Sequence, residues 1–353
     1  MTRLQLLTLL LASALVAGCD TAEPCDADCG PAGEAEVFVA NQGNFTAGNG
    51  TLARFDPRDG VVDSTAALGG LLQSATLHDG RVYVAVNTAN RVDVFDAATL
   101  VRVQQFTVPS PRYIAFTGVD RMYVTSQFYD FGGSVRPDIV NVVDRATGAV
   151  LDTVQVGGNA DGIAVVGLRA YVATGAFSET QNVVVLDTAT DDVIATIDVG
   201  CAPRLALPDA DGDVFVICAS VAGPDEVVVL DGASGAEEGR IPTGAIGTVG
   251  FAQDAHLAPP ANELYVAQTD GRVLRIDTRT NAVTATLGPF GADPVGAVAY
   301  DADTERLYVA HAPAGSEFTA GGYVTVHDRA GTEVGRFRSG GVAPSHLITR
   351  TLP

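Results

Sequence analysis

Val37-Phe38-Val39-Ala40, Val82-Tyr83-Val84-Ala85, Met122-Tyr123-Val124-Thr125, Ala170-Tyr171-Val172-Ala173, Val214-Phe215-Val216-Ile217, Leu264-Tyr265-Val266-Ala267 and Leu307-Tyr308-Val309-Ala310 are seven copies of one hydrophobic pattern with an aromatic in second place. Each copy is followed by an apolar run that ends in aspartate: Asp56, Asp96, Asp144, Asp187, Asp231, Asp277 and Asp328. The aromatics recur roughly every 40 to 50 residues, the period of units built from four short strands. One such unit is a small twisted sheet that cannot cover its own faces, whereas seven stacked about an axis bury one continuous core. The repeat predicts an all-β chain: a seven-bladed β-propeller with four antiparallel strands per blade.

Within a blade the innermost strand A lines the central channel and strand D is outermost. In the second blade the pattern places A at residues 75–78, B at 81–86, C at 91–95 and D at 101–108. Later A strands read Tyr113–Phe116, Gly162–Val165, Arg204–Leu207, His256–Ala258 and Ala297–Tyr300. The first blade has B, C and D, starting at Val37, Leu52 and Val61, with no A strand before them. Residues 344–349 (PSHLIT) match the A pattern, so the first blade is expected to be closed by this C-terminal strand, which removes exposed sheet edges.

The repeated aspartates occur in DPRDG, DAATL, DRATG, DTATD, DGASG, DTRTN and DRAG contexts. An aspartate that accepts backbone N–H bonds two residues on, followed by Gly or Asn, is a tight-turn signal. The turn reading also outweighs a calcium loop at Asp209–Asp213 and Asp301–Glu305, since neither carries the downstream bidentate glutamate.

The chain has 353 residues and a net charge of −21, and all 21 basic residues are arginine. That surface repels polyanions and offers no basic stripe, so nucleic acid is not an expected partner. Residues 1–18 read as a signal peptide, with Arg3 ahead of the apolar stretch Leu4–Val16. Val16-Ala17-Gly18-Cys19 resembles a lipobox, making Cys19 the expected site of lipidation. Residues 19–35 are acidic and nearly free of large apolar side chains, the composition of a tether. The propeller is assigned to 36–353. An exported chain meets an oxidising compartment, so the remaining cysteines are expected to pair, Cys201 with Cys218 across one hairpin and Cys25 with Cys29 in the tether. Their spacing does not match a zinc site.

The units G-x-x-P-x-x-(I/L)-A, (V/L)-Y-V-(A/T) and V-(V/L)-D-x-x-(T/S)-(G/N), seen at Val199-Gly200…Pro203-Arg204-Leu205-Ala206 and Leu307-Tyr308-Val309-Ala310, resemble the YVTN-repeat, YncE-like propellers, also called surface-layer-type. The opening 37–45 (VFVANQGNF) followed by Gly48-Asn49-Gly50 is similar to the start of exported lipoprotein members. The resemblance covers about residues 36 to 351. It implies the propeller fold and a bacterial cell-envelope binding protein held by a lipid anchor, either surface-exposed or periplasm-facing.

Loops from D to the next A and from B to C share one face, where the channel opens. Aligning the starts of the A strands gives a ring: Ser345 and His346, Ser74 and Ala75, Arg112 and Tyr113, Asp161 and Gly162, Arg204 and Leu205, Ala255 and His256, Val295 and Gly296. Arg112, Tyr113, Asp161, Arg204, His256 and His346 are the candidate ligand-binding residues. Arginine suits a carboxylate or phosphate because its fork binds bidentately and keeps its charge; histidine is expected to add charge in mild acid. The same polar residues also suit mutual pairing, Arg112 or Arg204 with Asp161. Aromatics in the B–C loops (Phe45, Phe128, Tyr129, Phe131, Phe177 and Phe318) suit an envelope protein or a glycan. No catalytic motif, cofactor motif or metal-ligand set is evident, and a monomeric, non-catalytic binding module is expected. The alternative is a lactonase-type hydrolase with a metal in the channel, for which Asp161 is well placed and Asp254 and Asp293 lie slightly off.

Overall fold

The computed structural model describes residues 35–127, 138–175, 180–219, 225–248 and 255–352. Seven four-stranded antiparallel sheets form a ring. Blade 1 contains β1 (Ala35–Asn41), β2 (Thr51–Asp56) and β3 (Val61–Ser64). Blade 2 is β4 (Leu72–His78), β5 (Arg81–Val86), β6 (Arg91–Asp96) and β7 (Arg102–Thr107). Blade 3 is β8 (Pro111–Thr117), β9 (Arg121–Ser126), β10 (Ile139–Asp144) and β11 (Val150–Gln155). Blade 4 is β12 (Ile163–Val166), β13 (Arg169–Ala173), β14 (Asn182–Asp187) and β15 (Val193–Asp198). Blade 5 is β16 (Pro203–Pro208), β17 (Asp213–Cys218), β18 (Glu226–Asp231) and β19 (Glu237–Pro242). Blade 6 is β20 (Ala255–Ala258), β21 (Glu263–Ala267), β22 (Val273–Asp277) and β23 (Ala282–Leu287). Blade 7 is β24 (Val295–Asp301), β25 (Arg306–His311), β26 (Gly321–His327) and β27 (Glu333–Val342). The last strand, β28 (Pro344–Thr351), pairs with β1 and completes the first blade, as the sequence pattern predicts.

The B and C strands are almost fully buried because both faces of each middle strand meet a neighbouring blade. The D strands are exposed along much of their length, with large apolar side chains such as Leu151 and Ile194 among the exposed residues. The repeated B-strand aromatics sit between blades: Tyr83 meets Phe116 edge-on at 4.9 Å, Tyr171 donates to the Gly232 carbonyl at 3.0 Å, and Tyr265 stacks on Tyr300 at 4.6 Å. The repeated aspartates cap the C–D hairpins. Asp96 Oδ1 accepts from the backbone N–H groups of Ala98 and Thr99, Asp277 from Arg279 and Thr280, and Asp328 from Ala330 and Thr332. The calcium-like loops are turns of the same kind, with Asp209 Oδ1 accepting from the N–H groups of Asp211, Gly212 and Asp213.

Cys201 and Cys218 form a disulfide that joins the approach to β16 with the end of β17, as expected from the hairpin. Their sequence separation of 17 closes a short loop, and loop-closure entropy gives about 3 kcal/mol. A Cys201→Ala, Cys218→Ala variant is expected to unfold at lower urea concentration by up to that amount while keeping its sheet circular dichroism, since neighbouring blades support blade 5. A variant as stable as the parent refutes this. Cys19, Cys25 and Cys29 lie outside the described residues. No helix among the described residues is long and apolar enough to cross a membrane.

Candidate functional site

Backbone irregularity at the start of the A strands builds the channel mouth. Register shifts fall between Leu72 and Ser74 in β4, between Pro111 and Ile114 in β8, between Pro203 and Leu205 in β16, between Val295 and Ala297 in β24, and between Pro344 and His346 in β28. Such bulges leave a residue out of the ladder and re-aim its side chain. The residues released are Gln73, Arg112 with Tyr113, Arg204, Gly296 and Ser345. Each of Gln73, Arg112 and Arg204 lies three residues ahead of the position that faces the B-strand aromatic, which is Thr76, Ala115 or Leu207. Asp161 holds the same place ahead of Ala164 in blade 4. Four consecutive blades thus contribute Gln73, Arg112, Asp161 and Arg204 to one arc.

Two glycines let the backbones approach closely here. A Cβ on Gly162 would lie 2.5 Å from Leu205 Cα and 2.8 Å from the Arg204 carbonyl, and one on Gly296 would lie 2.1 Å from the Pro344 carbonyl. Gly162 instead donates its N–H to Arg204 O at 2.9 Å, which ties blade 4 to the bulge that carries Arg204.

Arg112 donates from Nε to Asp161 Oδ1 at 2.8 Å, and Nη2 lies 2.7 Å from the same oxygen. Its Nη1 donates to Gln73 Oε1. Ser74 Oγ holds the Arg112 backbone through its carbonyl at 2.6 Å. Arg112 and Arg204 are each 6% exposed and Asp161 1%. Burial pushes the Asp161 carboxyl above the ordinary range, while the charges of Arg112 and Arg204 pull it back. Tyr113 and His346 come from blades 3 and 1 and approach each other with ring centroids 5.7 Å apart.

Five of the six candidate residues are therefore brought together. His256 is not among them. In β20 it stands opposite Tyr265, three positions deeper than Arg112 in its own strand, and its Nε2 lies 3.1 Å from Tyr300 O. The equivalent of Arg112 in blade 6 is position 253, outside the described residues. Gln73, not Ser74, completes the arc in blade 2; only the bulge reveals this. The expectation that the histidines charge in mild acid is also corrected. Burial lowers His346 to about 3, helped by the nearby Arg112 charge, and lowers His256 to about 4, so both imidazoles stay neutral there.

Of the rim aromatics, Phe45 and Phe318 are exposed, and Asn44 links their loops by donating to Phe318 O at 3.1 Å. Phe128, Tyr129, Phe131, Phe177 and Asp254 lie outside the described residues. Asp293 sits at the rim, where it accepts from Tyr323 OH at 3.0 Å and from Ala314 N–H at 3.0 Å. It borders a cleft of about 340 Å³ between blades 6 and 7, which Thr248, Gln268, Thr269 and Asp270 also line. On the opposite face the carboxylates of Asp213, Asp231 and Glu238 come within 4.8 Å of one another. Burial and these neighbours raise Asp213 to about 6.

A family model described as "Domain of unknown function (DUF5074)" matches residues 35–316, most of the ring. The chain belongs to the DUF5074 family. No curated protein matches the sequence. Similar solved structures include Kuenenia stuttgartiensis hydrazine synthase, with TM-score 0.60 at 17% identity, covering 77% of this chain and 92% of that one. Apo AztD from Citrobacter koseri has TM-score 0.58 at 12% identity, covering 90% and 98%. Dihydro-heme d1 dehydrogenase NirN in complex with DHE has TM-score 0.57 at 13% identity, covering 93% and 76%. At these identities the likeness establishes the propeller fold of this DUF5074 chain and nothing of its chemistry.

Proposed function

We propose that this DUF5074 propeller is a non-catalytic binding module of the YncE-like type that takes an anionic group at its channel mouth. The observation that carries the reading is the meeting of two arginines, Arg112 and Arg204, each 6% exposed, around Asp161 at one end of the channel in a chain whose net charge is −21. An arginine fork binds carboxylate or phosphate bidentately and keeps its charge. The alternative, a lactonase-type hydrolase with a channel metal, needs carboxylates free to converge on a cation. Here Asp161 is held by Arg112.

Calorimetric titration with acetate and phosphate tests this. Wild type is expected to bind, and Arg204→Ala, which removes one of the two guanidinium forks, is expected to bind about ten- to a hundredfold more weakly. Equal binding by both proteins, or by neither, removes the site.

The module is proposed to be exported and monomeric, with residues 1–18 cleaved and 19–35 acting as tether. Cys19 carries the lipid that holds it at the bacterial envelope, with a protein or glycan of that envelope as the wider partner. Mass spectrometry of the mature N-terminus is expected to show cleavage before Cys19 and an acyl-modified cysteine. An unmodified Cys19 or cleavage elsewhere overturns the anchor.

A further inference from the structure

The turns that join strand A to strand B in blades 3 and 4 carry Val119 and Leu168, 74% and 69% exposed. Each follows a glycine in the left-handed region, Gly118 or Gly167. Blades 2, 5 and 7 build the same turn from Asp79-Gly80, Asp209–Asp213 and Asp301–Glu305. The fold therefore accepts polar residues there, and an aliphatic side chain adds nothing to the turn. The C–D hairpins of blades 3 and 4 lead into Val150-Leu151 and Val193-Ile194, which are exposed as well. Hydrogen bonds join these turns into one stretch of surface. Arg145 N–H donates to Asp120 O at 2.8 Å, Thr188 N–H donates to Leu168 O at 2.9 Å, and Arg121 pairs with Asp191 from blade 3 to blade 4. In blade 5 the matching D-strand positions hold Glu237 and Glu238, and the patch ends there. A contiguous exposed apolar patch marks a contact site. This one is built of valine, leucine and isoleucine without an aromatic, whereas protein hot spots favour Trp, Tyr and Arg over Leu and Val. Arg121 and Arg145 are paired with Asp191 and Asp79, so the face offers aliphatic contact more than charge.

The place where the chain enters the ring names the occupant. Ala35 pairs with Thr351 at the A–B end of blade 1, the end that bears the patch. Residues 1–34 therefore join the ring at this face. Residues 20–34 reach at most about 50 Å, so a lipid on Cys19 pulls on the ring from the patch side. We infer that the A–B face of blades 3 and 4 rests on a lipid bilayer, with Val119 and Leu168 seated among the acyl chains and the channel mouth turned away from the membrane. This rests on the reading that Cys19 is acylated, and adds to it a second contact that sets the orientation of the ring.

Full-length chains carrying Val119→Cys, Leu168→Cys or Phe45→Cys, purified after export, are labelled with an environment-sensitive fluorophore and reconstituted with phosphatidylcholine vesicles that contain doxyl-lipid quenchers. Labels at positions 119 and 168 are expected to shift to the blue and to be quenched, equally at low and high salt. The label at position 45, on the mouth side, is expected to do neither. Phosphatidylglycerol is expected to weaken the contact, because the chain carries a net charge of −21. A label on Leu151→Cys is expected to lose most of its quenching once Val119→Asp and Leu168→Asp are added. Thermal melts establish that each variant is folded, and either turn alone decides if the other variant is not. Mass spectrometry of the same samples reports acylation of Cys19. Water-like spectra at 119 and 168 on an acylated, vesicle-bound chain overturn the inference and spare the anchor. An unacylated chain whose labels still enter the bilayer supports the docking and overturns the anchor alone. An unacylated chain that leaves the vesicles unbound overturns both. A blue shift present before vesicles are added, with a dimer in sedimentation, assigns the patch to a second copy and overturns the inference.

Discussion

Between pH 7.5 and pH 5 the protein is expected to lose about 6 kcal/mol of unfolding free energy through its histidines. His346 and His311 are 4% and 1% exposed. His311 stacks on Tyr323 at 4.8 Å, with Nε2 2.9 Å from Thr325 Oγ1. Burial lowers His346 to about 3, and His311 and His256 to about 4. An unfolded histidine titrates near 6.5. The folded state thus binds fewer protons than the unfolded state between about 6.5 and 4. The stability these groups confer is complete above the unfolded value and is lost as pH falls toward the folded ones, about 2 kcal/mol for each at pH 5. His78 and His327 are shifted the same way and add to the loss. Asp213, raised to about 6, acts in the opposite sense, because acid relieves its repulsion from Glu238, Asp209 and Asp231. Urea unfolding at the two pH values measures the difference. A midpoint that does not move contradicts the burial of these imidazoles.

Asp161→Leu is expected to destabilise the propeller by about 3–5 kcal/mol, because it leaves Arg112 and Arg204 buried without their counter-charge. The side chains of Arg112 and Asp161 are only 7% and 1% exposed, so solvent screens little of the loss. An Arg112→Met, Asp161→Leu double variant is expected to recover most of the deficit, since the apolar pair replaces the ion pair and removes one unpaired charge. Urea unfolding of the two variants settles it: a double variant as unstable as the single one shows that the two side chains are not coupled. Arg112 Nη1 also holds Gln73 in place.

The ring of blades was legible because it is repeated: an aromatic and a hairpin aspartate recur in every blade despite loops of differing length, and local turn chemistry agrees with the global fold. The meeting of Arg112, Asp161 and Arg204 was legible for the same reason, since all three occupy one position of the repeat. His256 was misplaced because residues 256–258 (HLA) mimic the hydrophobic pattern of the other A strands. Its true register is set by pairing with Tyr265, a long-range fact that the pattern does not carry. Gln73 was missed because a bulge adds a residue without leaving a signature in composition. The approach of Tyr113 to His346 joins two non-adjacent blades, and no periodicity encodes it. The charge state of the histidines depends on desolvation, which exists only once the core is built.

The closure of blade 1 by β28 has a consequence in time. The register joins Val37 to Thr349 and Val39 to Leu347, partners separated by nearly the whole chain. Forming them bears the largest loop-closure entropy of any strand pair in the molecule, and such contacts slow folding most. While the chain is being made, β1 keeps one unsatisfied edge until β28 emerges, and His346 arrives with that strand. The mouth is thus assembled at the end of folding, by the same event that locks the ring. An incomplete chain carries blades but no finished site.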